Sequence, residues 1–139
     1  MKRVLIVDDD PSVRRMLQLT FESAGYETVT SANGNEALKA IGAQPFDLMV
    51  IDIVMPEKEG IETIIEVRER WPELAIIAMS GGARFGVTGE VKLEAAHALN
   101  LAGRLGANLC FSKPIDNAKL LDAAERLIAG TQMSPDPAG

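Results

Sequence analysis

The chain has 139 residues, with 14 Lys+Arg against 20 Asp+Glu and a formal net charge of −6. That length suits one domain, able to bury roughly 68–70 % of its unfolded surface without disulfides or a structural metal. The composition, 47 % hydrophobic and 24 % charged, is that of a soluble globular protein. An acidic balance argues against nucleic-acid binding, which needs clustered Lys/Arg. A single cysteine, Cys110, excludes an internal disulfide and a multi-cysteine zinc site. The apolar run Val4–Val7 is too short for a signal peptide or a membrane span, so a cytoplasmic protein is expected.

In chain order, short β-branched runs alternate with stretches of helical spacing. The first strand is expected at Arg3–Val7. A helix follows, with Asp10 as N-cap, Pro11 at its first position and Gly25 as its stop. Its inner face reads as Val13, Met16, Leu17, Thr20 and Ala24. A strand at Glu27–Thr30 precedes a second helix near Gly34–Ile41, with Ala37, Leu38 and Ile41 inward. The third strand, Asp47–Ile51, leads to a helix from Gly60 to Trp71, with Ile61, Ile64, Ile65 and Arg68 on one stripe and Pro72 ending it. The fourth strand, Leu74–Met79, is followed by a helix over Gly89–Leu105. The fifth, Asn108–Phe111, is followed by a helix over Asn117–Ala129, with Leu120, Leu121, Ala124, Leu127 and Ile128 inward.

Five βα units in strict alternation predict an α/β fold, a doubly wound five-stranded parallel sheet of order 2-1-3-4-5. The runs Leu48–Ile51 and Ala75–Ala78 are nearly all apolar, as for strands buried on both faces. Ligands in such sheets bind at the carboxyl ends of the strands. There the chain places Asp8-Asp9-Asp10, Asp52, Ser80 and Lys113-Pro114. Carboxylates gathered without nitrogen or sulfur ligands suit Mg²⁺, and Lys113 and Ser80 add a cation and a small donor. Such a set fits a phosphoryl group held for attack by a carboxylate. Asp10, followed by Pro11, reads as a helix cap. Gly81-Gly82 with Gly86 lacks the Gly-Lys-Ser/Thr of a phosphate-binding loop. His97, the single histidine, falls mid-helix and is read as structural.

The constellation Val7-Asp8-Asp9, Asp52-Ile53-Val54-Met55-Pro56, Ser80 and Lys113-Pro114 resembles the receiver domain of two-component response regulators, over about Lys2–Ala129. The resemblance implies a flavodoxin-like fold with Asp52 as phosphoacceptor for a histidine kinase or histidine phosphotransfer protein. It implies Mg²⁺ held by Asp9 directly, by Asp8 through water, by Asp52, and by the Val54 carbonyl. Lys113 would pair with the phosphoryl oxygens, Ser80 would hydrogen-bond them, and the Lys113-Pro114 bond would be cis. Switching would act on a downstream protein through the fourth helix, fifth strand and fifth helix, as a monomer or a phosphorylation-dependent homodimer. The expected organisation is a stand-alone receiver over 2–129 and a disordered tail over 130–139, with output on another chain. Leu93 and Leu101 are candidate docking residues.

Three departures from the family pattern stand out. Ser80 and Lys113 are 33 residues apart, longer than usual, through the Gly81–Glu90 loop and an enlarged fourth helix. The extra length reads either as a reshaped output surface or as a tolerated surface insertion. Cys110 stands where the family commonly has an aromatic switch residue and reads as a small apolar filler. Phe85 or Phe111 could substitute, with Phe111 expected in the core. Val54 and Gly82 cannot orient an attacking water, so a long-lived aspartyl phosphate is expected. Two other classes compete. One is a phosphatase of the haloacid-dehalogenase type using Asp8 and Asp10, which leaves Asp52-x-x-Met55-Pro56 unexplained. The other is a receiver-like module that binds partners without phosphorylation.

Overall fold

The computed structural model describes residues 1–53, 60–80 and 103–130. Its elements, in chain order, are β1 (Arg3–Val7), α1 (Pro11–Ser23), β2 (Glu27–Ser31), α2 (Gly34–Ala43), β3 (Leu48–Asp52), α3 (Gly60–Arg70), β4 (Ala75–Ser80), a helical segment α4 at 103–105, β5 (Leu109–Ser112) and α5 (Asn117–Gly130). All strand pairs are parallel and the order is β2-β1-β3-β4-β5, as the alternation of segments predicts.

The near-continuous apolar strands follow from a sheet covered on both faces. Leu5, Val7, Met49, Ile51, Ile76 and Ala78 point one way, onto Ala37 and Ile41 of α2 and Ile64 and Val67 of α3. Val4, Ile6, Leu48, Val50, Ile77 and Met79 point the other way, onto Leu17 and Phe21 of α1 and Leu120, Ala124 and Ile128 of α5. The two-residue period of a strand therefore divides one apolar run between two cores.

Local signals set the helix ends. Asp10 caps α1, its carboxylate accepting from the Ser12 N–H at 2.9 Å, and Pro11 opens the helix. At the other end Gly25 has φ +95°, a conformation open to glycine. There the Gly25 N–H donates to the Glu22 carbonyl and the Tyr26 N–H to the Phe21 carbonyl. This is a Schellman closure, sealed by the edge-on Phe21–Tyr26 ring contact at 5.5 Å. Asn33 caps α2 through the Glu36 N–H, and the Glu36 carboxylate reaches back to the Ala32 N–H.

Several expectations need correction. The inner face of α1 is Leu17 and Phe21; Met16 and Ala24 are exposed, because the largest apolar residue, Phe21, takes the inward position. On α3 the buried positions are Gly60, Thr63, Ile64 and Val67, while Ile65 is exposed. Arg68 is half-buried and turns its guanidinium to the chain before β5. It donates to the Gly106 carbonyl at 2.7 Å, the Pro72 carbonyl at 2.6 Å and Asn108 Oδ1 at 3.1 Å. β5 is an edge strand, so Cys110 is exposed rather than a core filler, and Phe111 packs only partly against the core. Gly130 ends α5 rather than beginning the tail. Leu93, His97, Leu101, Phe85, the Gly81–Glu90 loop, most of the expected fourth helix and residues 131–139 lie outside the described residues.

Candidate functional site: an acidic cluster at the carboxyl edge of the sheet

Parallel pairing brings β1 and β3 to the carboxyl edge in register. Val7 pairs with Ile51, so Asp8 and Asp52 stand side by side one residue further on. Asp52 pairs with Met79, which puts Ser80 at the next position on β4, opposite Ser112 on β5. Lys113 follows directly, its N–H donating to the Ser80 carbonyl at 2.9 Å. The Lys113-Pro114 bond is cis, as the resemblance implies.

Carboxylate oxygens of Asp8, Asp9 and Asp52 lie within 4.8 Å of one another. Asp8 and Asp52 are fully buried. Two buried carboxylates at this spacing repel unless cations are present. Lys113 supplies one: its Nζ donates to Asp8 Oδ2 at 2.8 Å and to Asp52 Oδ2 at 3.1 Å. Burial alone would depress this ammonium, but hydrogen bonds and charge from Asp8 and Asp52 outweigh it and raise its pKa above the ordinary 10.5. Ser80 Oγ is buried and has no hydrogen-bond partner among the described residues. A buried hydroxyl left so costs about 1–3 kcal/mol, which a ligand oxygen would recover.

The acids differ in what remains open to a ligand. Asp8 Oδ1 accepts from the Asp10 N–H at 2.9 Å and Oδ2 from Lys113. Each of these oxygens keeps a further lone pair, which a cation or a cation-bound water can use. Asp10 turns to the helix, its Oδ1 accepting from the Ser12 N–H and hydroxyl. The donor set is all oxygen, clustered and anionic, which fits Mg²⁺ with part of its water shell kept. The Val54 carbonyl lies outside the described residues.

Two residues that shape the site were not singled out for it by sequence. Gly60, expected only as a helix start, lies so close to β3 that a Cβ would fall on the Asp52 carbonyl oxygen and Ile53 Cα. Arg14, on α1, donates from Nη1 to the Asp8 carbonyl at 2.8 Å. A glycine eight residues after a candidate acid, and an arginine one turn beyond a cap, carry no chemical signature of their own.

Comparison with known proteins agrees with this geometry. The response regulator receiver domain family matches residues 4–125. The response regulator receiver protein CpdR of Brucella abortus is 41 % identical over 83 residues, covering 60 % of this chain and 69 % of that protein. The DNA-binding transcriptional regulator NtrC of Salmonella typhimurium is 32 % identical over 134 residues, covering 96 % of this chain and 26 % of NtrC, so the chain spans about a quarter of that relative's length. Among solved structures, response regulator TrrA from Thermotoga maritima, in complex with Mg²⁺-BeF, superposes with a TM-score of 0.72 at 29 % identity, covering 91 % of this chain and 99 % of that one. Fold, site order and sequence agree, and the chain belongs to the response regulator receiver domain family of two-component systems.

Proposed function

We propose that the protein accepts a phosphoryl group on Asp52 from a phosphohistidine of a sensor kinase or phosphotransfer protein. The observation that carries this is the cluster of Asp8, Asp9 and Asp52 oxygens within 4.8 Å, with Lys113 Nζ bridging Asp8 and Asp52. Mg²⁺, when bound, offsets the charge of the carboxylates and of the incoming phosphoryl oxygens. An Asp52 carboxylate oxygen attacks phosphorus in line, the P–N bond breaks, and its electron pair leaves with the imidazole. Lys113 releases its contact with Asp52 and pairs with the phosphoryl oxygens, and the Ser80 hydroxyl donates to them. The residues that would hold the cation are Asp9 directly, Asp8 through water and Asp52 by its carboxylate, with the expected Val54 carbonyl outside the described residues.

The chain is thus a signalling protein in the cytoplasm rather than an enzyme of ordinary turnover. The phosphoryl group biases two conformations, and the face built from α4, β5 and α5 presents the difference to a protein partner or a second copy. Incubation with Mg²⁺ and acetyl phosphate tests the reading. One hydroxylamine-labile phosphoryl group per chain, lost in Asp52→Asn, is expected. Repeated turnover of small phosphate esters would instead indicate a phosphatase, and no modification a phosphorylation-independent binding module.

A further inference from the structure

We infer that Arg14 is a positioning residue for the cation site, holding the acidic turn through the main chain of Asp8. This rests on the Mg²⁺-dependent reading above.

All four polar groups of Asp8 are engaged. Its N–H donates to the Ser31 carbonyl, Oδ1 accepts from the Asp10 N–H, Oδ2 accepts from Lys113, and its carbonyl accepts from Arg14 Nη1. Three of these partners come from the sheet edge or from the turn itself. The fourth, Arg14, comes from α1 and joins the turn to it, and the Arg14 N–H also closes the first turn of α1 on the Asp10 carbonyl at 3.0 Å. Arg14 therefore grips both ends of the segment Asp8–Asp10, by its side chain at one end and its backbone at the other. Between them sits Asp9, the acid assigned to direct coordination. A guanidinium suits this task because it stays charged and its planar head is rigid.

The role has a signature of definite sign. Arg14 is a cation beside a site for a cation, so Coulomb repulsion alone predicts that removing it strengthens Mg²⁺ binding. Positioning predicts the opposite. Loss of an outer support of a metal site weakens affinity by roughly ten- to a hundredfold.

The experiment is a Mg²⁺ titration of the full chain followed by backbone amide shifts, with hydrogen exchange of the Asp9 and Asp10 amides, for wild type, Arg14→Met and Arg14→Lys. Arg14→Met is expected to bind Mg²⁺ at least tenfold more weakly and to exchange these amides faster. Affinity equal to or tighter than wild type in folded Arg14→Met overturns the inference. Should that variant not fold, Arg14→Lys decides: weaker binding is expected because the shorter, more freely rotating ammonium holds the Asp8 carbonyl less firmly, and wild-type affinity overturns the inference. Absence of Mg²⁺ binding in wild type would count against the proposed function itself.

Discussion

Gly60 meets the Asp52–Ile53 peptide backbone to backbone, with no room for a Cβ between them. The start of α3 is thereby laid against the end of the strand that carries the central acid. Side-chain rearrangement cannot relieve an overlap with main-chain atoms.

Gly60→Ala is accordingly expected to destabilise the fold by about 1–3 kcal/mol, the range for overpacking a close contact. It should also slow acetyl-phosphate labelling of the folded fraction, since any relief displaces Asp52. Urea unfolding and labelling kinetics check both. Unchanged values of either would show that the backbone accommodates the methyl group.

Lys113→Met removes the cation shared by two fully buried carboxylates. Stripping one partner from a buried charged set costs about 3–5 kcal/mol. The variant should therefore be more dependent on Mg²⁺ for thermal stability than wild type. Saturation at a hundred times the dissociation constant contributes about 2.7 kcal/mol by linkage. Melting curves with and without Mg²⁺ measure the difference.

The same ammonium sets an alkaline limit. Its pKa is raised in the folded state, so the fold holds that proton more tightly than the unfolded chain does. The stabilisation is complete below the ordinary value of 10.5 and is lost as pH rises through the folded value. Unfolding free energy should fall in that alkaline window, and Lys113→Met should flatten this part of the profile.

Tyr26, the single tyrosine, reports on the opposite end of the molecule. Burial against α5, then the Glu125 charge, raises its phenol above 10.0. Phenolate absorbance should titrate above that value. Glu125→Gln should bring it part of the way back, since burial, the larger cause, remains.

Arg68→Met should cost about 2 kcal/mol, because the Gly106 and Pro72 carbonyls and Asn108 Oδ1 lose a charged donor. Gly106 sits at φ +145°, a conformation that a side chain strains, and a Cβ there would crowd the Arg68 stem at 3.2 Å, so Gly106→Ala should weaken the same joint. Urea midpoints test both, and the double variant should be less than additive because the residues touch.

Much of this protein was legible without coordinates. Alternating β-branched runs and helical stretches, right-handed crossovers and full burial of Leu48–Ile51 leave few topologies besides the 2-1-3-4-5 sheet. Chemically distinctive residues at strand ends, Asp8, Asp9, Asp52, Ser80 and Lys113, mark the candidate site because topology sends every strand end to one edge. The caps of α1, Asp10 and Gly25, are local signals and were equally readable.

Helix rotation was not. Val13, Met16, Leu17 and Phe21 are all apolar, and only the space between α1 and the sheet selects Leu17 and Phe21 for burial. Cys110 reads as a small apolar filler, but on the edge strand β5 its side chain is exposed. The roles of Arg14, Gly60 and Arg68 lie in contacts with main-chain atoms distant in sequence or across a turn, and a backbone carbonyl leaves no mark on the sequence. The sequence by itself determined the fold and the acids that gather. Tertiary structure alone decided how Asp8 is held, because Ser31 on β2, Arg14 on α1 and Lys113 after β5 reach it only once the chain has folded.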